Sequence, residues 1–249
     1  MEFYMLSTVV DSNHTLFLKS FKNNFKKSLF TFLIYDLIPE FNCKLFNLNN
    51  DSYLKLLYFY NTTVYFDQFV AISDPSCDDF KELFNISPEI IPLGFDHIVH
   101  NHNFVKSDFI IVGPSQSKPL SAELESCSRF ISRDNSAKPK IVIIGSPLIS
   151  SYLAELDSYK KSFDISYFDQ LETEAFNYQL WSSKILINLG KEGFGLNAAT
   201  FLYNEKEVYI NRDHPLWKYT SPGSQEGLRK LSDSVVIPTW ANFCNEFFK

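Results

Sequence analysis

The 249-residue chain carries 23 Lys and Arg against 29 Asp and Glu, a formal net charge of −6, and 45% of its residues are apolar. Its length suits one large domain or two of ordinary size, and its basic residues are scattered except at Lys22, Lys26 and Lys27, which argues against a nucleic-acid binder needing a basic stripe. Cys43, Cys77, Cys127 and Cys244 stand far apart with no CxxC pair, so no zinc or redox motif is visible, a cytoplasmic setting fits, and neither a membrane span nor a signal peptide is read.

The lysine cluster near the start is read as the solvated face of a helix. From "SLFTFLIYD" onward, short apolar runs alternate with longer amphipathic stretches, the pattern of strands and crossover helices in a parallel sheet, so the fold class is α/β. The spacing predicts strands over Leu29–Tyr35, Gln68–Ile72, Glu89–Pro92, Asp108–Val112, Lys140–Ile144, Ile165–Phe168, Lys184–Asn188, Glu207–Ile210 and Ser234–Ile237. Helices are predicted over Ser52–Phe66, Pro75–Leu83, Ser121–Ser132, Ser146–Tyr159, Leu171–Trp181, Leu196–Tyr203 and Thr239–Phe247. Pro75 after Ser73 and Asp74 marks a helix start. Turn-formers in "GFDHIVHNHNFVKS" suggest a boundary, giving an N-terminal lobe over 1–103 and a second α/β lobe over 104–249.

Ligands of open parallel sheets sit at the carboxyl ends of strands, so the strand-end loops hold the candidate residues. At "IYDLIPEF", Asp36 is either a catalytic base or a turn cap. In "VGPSQSKPL", Gly113 ends a strand and Lys118 precedes a helix whose N–H groups can face a phosphate, though an ordinary turn reads the same way. "IIGSP" places Gly145 where a ligand can approach the backbone closely. "GKEGFGLN" concentrates Gly190, Gly193 and Gly195 in a chain with only 8 glycines. They permit positive φ and bare the mouth of the helix "LNAATFLY" to an anion or a sugar hydroxyl, while Glu192 can accept hydrogen bonds from hydroxyls. Neither GxxxxGK[ST] nor GxGxxG is present. His97, His100 and His102 lie on the boundary segment and are read as solvated, and no metal site is assigned.

In this order the loops resemble those of nucleotide-sugar glycosyltransferases of the retaining GT-B kind, from about residue 29 to the C-terminus. "FLIYDLIPEF" resembles that family's "HDLIP" strand end, and "FDQFVAISDPSCDDFKELFNISPEIIPLGFD" is similar to its strand, helix and "VIPNGVD" passage between lobes. "KIVIIG" resembles the central strand of the donor lobe, and "LWSSKILINLGKEGFGLNAAT" is similar to the segment that ends in "EGFGLP-x-x-E". The resemblance implies two Rossmann-like lobes, the N-terminal one reduced and facing the acceptor. The C-terminal lobe would bind a UDP- or GDP-linked sugar as substrate, with no cofactor and no metal.

By the same resemblance Glu192 contacts hydroxyls of the transferred sugar. The backbone of Gly193, Phe194, Gly195 and Leu196 lies against sugar and diphosphate, and Lys118 neutralises the departing diphosphate. Thr200 stands where the family has a second, ribose-binding glutamate, Asn197 replaces a proline, and Tyr35 stands where many members have histidine. The implied function is sugar transfer to a glycan, lipid-linked saccharide or protein. The alternative from another class is a catalytically silent glycosyltransferase-like subunit bound to a partner transferase or glycan. A second copy of the chain is a further possible partner, and membrane contact is at most peripheral.

Overall fold

The computed structural model describes residues 2–5, 12–35, 62–96, 105–113, 120–130, 138–145, 156–169, 171–190, 192 and 194–248. Most of the predicted helix over 52–66 and the first part of that over 146–159 lie outside them. The chain forms two units. The first comprises Met1–Gly94, Glu192–Phe194 and Pro238–Lys249, and the second Phe95–Lys191 and Gly195–Ile237.

The first unit holds a parallel sheet in the order β1 (Glu2–Met5), β2 (Leu29–Ile34), β3 (Gln68–Ala71) and β4 (Glu89–Ile90). β2 reads LFTFLI and is buried from Phe30 to Ile34, as expected of a strand covered on both faces. Phe30, Phe32 and Ile34 alternate onto one face, where they pack with Leu18 of α1 (Ser12–Asn24), Phe66, and Cys77 and Phe80 of α2 (Asp74–Phe84). α2 begins where the sequence places a cap: Ser73 Oγ accepts from the Ser76 N–H at 3.2 Å, and Pro75 occupies the first turn. It ends at Asn85, whose left-handed φ of 56° lets its N–H donate to the Lys81 carbonyl at 2.8 Å. Asp67 ties β2 to the turn before β3, accepting from the Phe30 N–H at 2.9 Å and from the Lys22 ammonium.

The last helix of the chain, α6 (Trp240–Phe247), belongs to this first unit. It is capped by Thr239 Oγ1, which accepts from the Asn242 N–H at 3.1 Å, and buries Phe243 and Phe247. Gly94 lies against its start. A Cβ at residue 94 would stand 2.1 Å from the Trp240 nitrogen and 2.5 Å from the Thr239 carbonyl carbon.

The second unit is built on one sheet. Its parallel part joins β5 (Ser107–Val112), β6 (Lys140–Ile144), β7 (Asp164–Phe168), β8 (Ser183–Asn188) and β9 (Glu207–Ile210). With β10 (Thr220–Pro222) and β11 (Leu228–Leu231) added, the strand order is β10-β11-β9-β8-β5-β6-β7. Phe109, Ile111, Ile141, Ile143, Ile185 and Ile187 share one core with Leu120, Leu124 and Cys127 of α3 (Leu120–Arg129). Ile110, Val142 and Leu186, the alternate residues, are buried as well, so helices cover both faces. α4 (Thr173–Trp181) leads directly into β8, and α5 (Leu196–Tyr203) follows it. Lys206, its ammonium pushed below the usual range by burial, donates to the Trp181 carbonyl and to the Ser183 carbonyl at 2.8 Å, fastening the end of α4 to the turn before β9.

The C-terminal part of this sheet differs from the sequence expectation. Ser234–Ile237 is not a strand: Val236 is 88% exposed, so the β-branched run has no sheet to join. The sheet is extended instead by the antiparallel hairpin of β10 and β11, with Thr220 opposite Leu231. Arg229 holds the hairpin together. Its Nε donates to Thr220 Oγ1 at 3.0 Å, its Nη2 donates to the Thr220 carbonyl at 2.8 Å, and its guanidinium lies 4.1 Å from the Trp217 ring centre.

Candidate functional site

The strand order of the second unit places its candidate loops. From β5 the chain runs outward through β6 to β7, then returns to the other side of β5 as β8 and continues to β9. Winding therefore reverses between β5 and β8, and the crevice beyond their carboxyl ends is where open α/β sheets take ligands. Gly113 ends β5 and the segment from Leu189 follows β8, so two of the predicted loops flank that crevice. Gly145, at the end of β6, is next along the same edge.

The edge is ordered by backbone pairing carried past the strands. Gly113 has φ +68° and donates its N–H to the Ile144 carbonyl at 2.7 Å, and the Gly145 N–H donates to the Phe168 carbonyl at 3.0 Å. A side chain at Gly113 would be strained in that left-handed conformation.

Gly195 is the N-cap of α5, buried, with φ +84° and ψ 57°. Its carbonyl accepts the first helical hydrogen bond, from the Ala199 N–H at 2.9 Å, and as a glycine it places no capping side chain over the first turn. The helix N-terminus thus keeps its partial positive charge without an internal carboxylate or hydroxyl from this position. Leu196 is exposed at the first helical position, and Thr200 is buried one turn further, its carbonyl accepting from Asn204 Nδ2 at 2.8 Å. Glu192 is half-buried and Phe194 buried, and both belong to the first unit. Lys118, Asp36 and Gly193 lie outside the described residues, as do His97, His100 and His102. Tyr35 follows β2 in the first unit, its carbonyl accepting from Ser76 Oγ at 2.7 Å.

Three further residues surround the segment that follows β8. His214 packs on Gly195: a Cβ on residue 195 would lie 2.5 Å from its Cε1 and 2.7 Å from its Nε2. Its Nδ1 accepts from the Leu216 N–H at 3.1 Å, so the proton of the neutral ring sits on Nε2, the nitrogen nearer Gly195. Glu123 of α3 accepts from the Leu189 N–H at 3.2 Å through Oε1, and Asn211 Nδ2 donates to the Leu189 carbonyl at 2.7 Å. Sequence reasoning missed all three. The one signal available for Asn211 and His214 was position, since both follow β9, the next carboxyl strand end beside β8.

Among the described residues no group of three His, Cys, Asp or Glu is placed to hold a metal ion, and no helix is long and apolar enough to cross a membrane.

No family model matches the chain, and no curated protein matches it in sequence. Solved structures do match in fold. Anabaena Alr3699/HepE, solved in complex with UDP and glucose, superposes with a TM-score of 0.61 at 10% identity, covering 88% of this chain and 62% of that one. A point mutant of Staphylococcus aureus TarM, solved with fondaparinux, α-GlcNAc-glycerol and UDP, gives 0.54 at 14% identity, over 86% and 43% of the two chains. The N-terminal domain of Candida albicans trehalose-6-phosphate phosphatase gives 0.57 at 11% identity, over 88% and 57%. The chain spans about half the length of such relatives. These likenesses establish a mixed α/β, Rossmann-like fold of the kind found in GT-B glycosyltransferases.

Proposed function

We propose that the chain is a glycosyltransferase of retaining type that moves a sugar from a nucleotide-sugar to a glycan, lipid-linked saccharide or protein. The observation that carries this reading is the position of Gly113 and the glycine-capped α5 at the carboxyl ends of β5 and β8, on either side of the winding reversal. A diphosphate needs N–H donors and cations, and an uncapped helix start supplies the first. The bound UDP of the HepE and TarM structures favours a uridine donor.

In this reading the donor lies in the lobe formed by residues 104–249, and residues 1–103 face the acceptor. Glu192 accepts hydrogen bonds from hydroxyls of the transferred sugar. The backbone of Gly193, Phe194, Gly195 and Leu196 lies along sugar and diphosphate, with Gly113 and Gly145 leaving room for the nucleotide. As the glycosidic bond to the diphosphate breaks, negative charge grows on the leaving phosphate, and Lys118 with the α5 N-terminus stabilises it electrostatically. Asp36 is the proposed base on the acceptor side.

Calorimetric titration with a panel of UDP- and GDP-sugars tests the proposal, with a UDP-sugar expected to bind and no binding to any member refuting it. Glu192→Ala is expected to lower turnover about 10- to 100-fold, the worth of one or two charge-assisted hydrogen bonds, while changing UDP affinity far less.

Thr200 favours a second reading, a subunit without turnover that binds a partner transferase or glycan. It is buried and offers no carboxylate where the resemblance expects a ribose-binding glutamate. Donor binding with neither hydrolysis nor transfer by the isolated chain, and activity of a co-purified transferase, would select this reading over the first.

A further inference from the structure

Leu189 lies one residue past the β8 ladder, whose last pair is Asn188 with Ile210, and it is the residue from which the glycine segment departs. Both of its backbone polar groups are held by side chains from distant parts of the chain. Glu123 Oε1 accepts its N–H at 3.2 Å, and Asn211 Nδ2 donates to its carbonyl at 2.7 Å. Glu123 is only 1% exposed, on the first turn of α3, beside a face made by Leu120, Leu124 and Cys127. Burying a carboxylate is costly, and an apolar residue of similar volume would continue that face at little or no cost in stability. Packing therefore does not call for a polar side chain at this position. An acceptor for the Leu189 N–H does.

We propose that Glu123 and Asn211 are positioning residues that fix the direction of the chain at Leu189, where it leaves β8, and so set the diphosphate subsite at the mouth of α5. The inference rests on the donor-site reading above, and it assigns a role to two side chains that reach the ligand only through the backbone they hold. A uridine nucleotide gains its β-phosphate contacts from this segment. The clamp therefore governs the affinity gained between UMP and UDP, and leaves that of the nucleoside monophosphate unchanged.

The experiment titrates UMP and UDP into the full chain and into Asn211→Ala, Glu123→Leu and Glu123→Gln, with a thermal melt of each. Asn211 is exposed, so its truncation leaves the core intact. The UDP-over-UMP preference is expected to fall about fivefold or more in Asn211→Ala and Glu123→Leu, the effect of one lost hydrogen bond, with the Asn211→Ala melting temperature unchanged. Glu123→Gln keeps an oxygen that can accept from Leu189, and is expected to recover most of the preference. A merely structural role would move melting temperatures and leave the ratio alone. A wild-type preference retained in Asn211→Ala overturns the clamp and spares the donor site, whether or not Glu123→Leu folds. Failure of the wild-type chain to bind UDP overturns both.

Discussion

At Gly195 the backbone and a neighbouring side chain impose the same requirement. The φ of +84° costs any other residue on the order of 1–3 kcal/mol, and a methyl group there meets His214 at 2.5 Å. Gly195→Ala is therefore expected to lower both the melting temperature and UDP affinity, and a double-mutant cycle with His214→Ala separates the two causes. If the ring contact contributes, the double variant loses less stability than the sum of the single ones; strict additivity would assign the whole loss to the backbone. Asp67 shows a residue whose effect depends on pH. Burial pushes its carboxyl up, but the hydrogen bonds from Lys22 and the Phe30 N–H, with the charge of Lys22, outweigh this and hold it below its ordinary value of 3.8. A depressed carboxylate stabilises the fold above its unfolded pKa, and that contribution disappears as pH falls through the folded value. The gap in melting temperature between wild type and Asp67→Asn is therefore expected to be widest near neutrality and to close as the pH falls below 3.8. A gap that stayed constant would show that the ion pair contributes nothing.

Elements with a strong local signal were legible in the sequence. β6, β9 and α5 lie where the apolar runs "KIVII" and "EVYI" and the stretch after Gly195 place them, because each pattern is also what the tertiary structure buries. The β10–β11 hairpin was not. "TSP" and "LRKL" have little strand character of their own, and what makes them strands is pairing with β9 and the Arg229 bonds to Thr220. The converse failure is "SVVI", with strong propensity and no partner. Among the candidate glycines, Gly113 and Gly195 take the positive φ that only glycine adopts freely, a requirement that leaves a mark in composition, whereas Glu123 looks like any polar residue of an amphipathic helix until α3 is laid on the sheet. One further prediction belongs to this scale. The close approach of Gly94 to the start of α6 leaves no room for a side chain, and its obstacle is backbone that cannot swing aside. Gly94→Ala is expected to cost about 3 kcal/mol, at the upper end of overpacking, measured by chemical denaturation. A loss under about 0.5 kcal/mol would mean that α6 docks without this contact.

For the whole molecule, the sequence order and the spatial grouping differ. The last twelve residues group with the first unit, with Phe243 and Phe247 buried, although the chain has by then traversed the second. Ending the chain at Ile237 is therefore expected to raise amide hydrogen exchange in β2 and β3 while β5, β6 and β8 stay protected. Equal loss of protection in both sheets would show instead that the units unfold as one. The same grouping has a spectroscopic consequence. The chain has 3 tryptophans, and they divide two to one: Trp181 and Trp217 in the second unit, Trp240 at the head of α6 in the first. Replacing the first two by phenylalanine leaves one indole whose emission follows the first unit alone, and replacing Trp240 leaves emission that follows the second. Each half of the protein thus carries its own native fluorophore, and the order in which the halves melt can be read by colour without attaching a label.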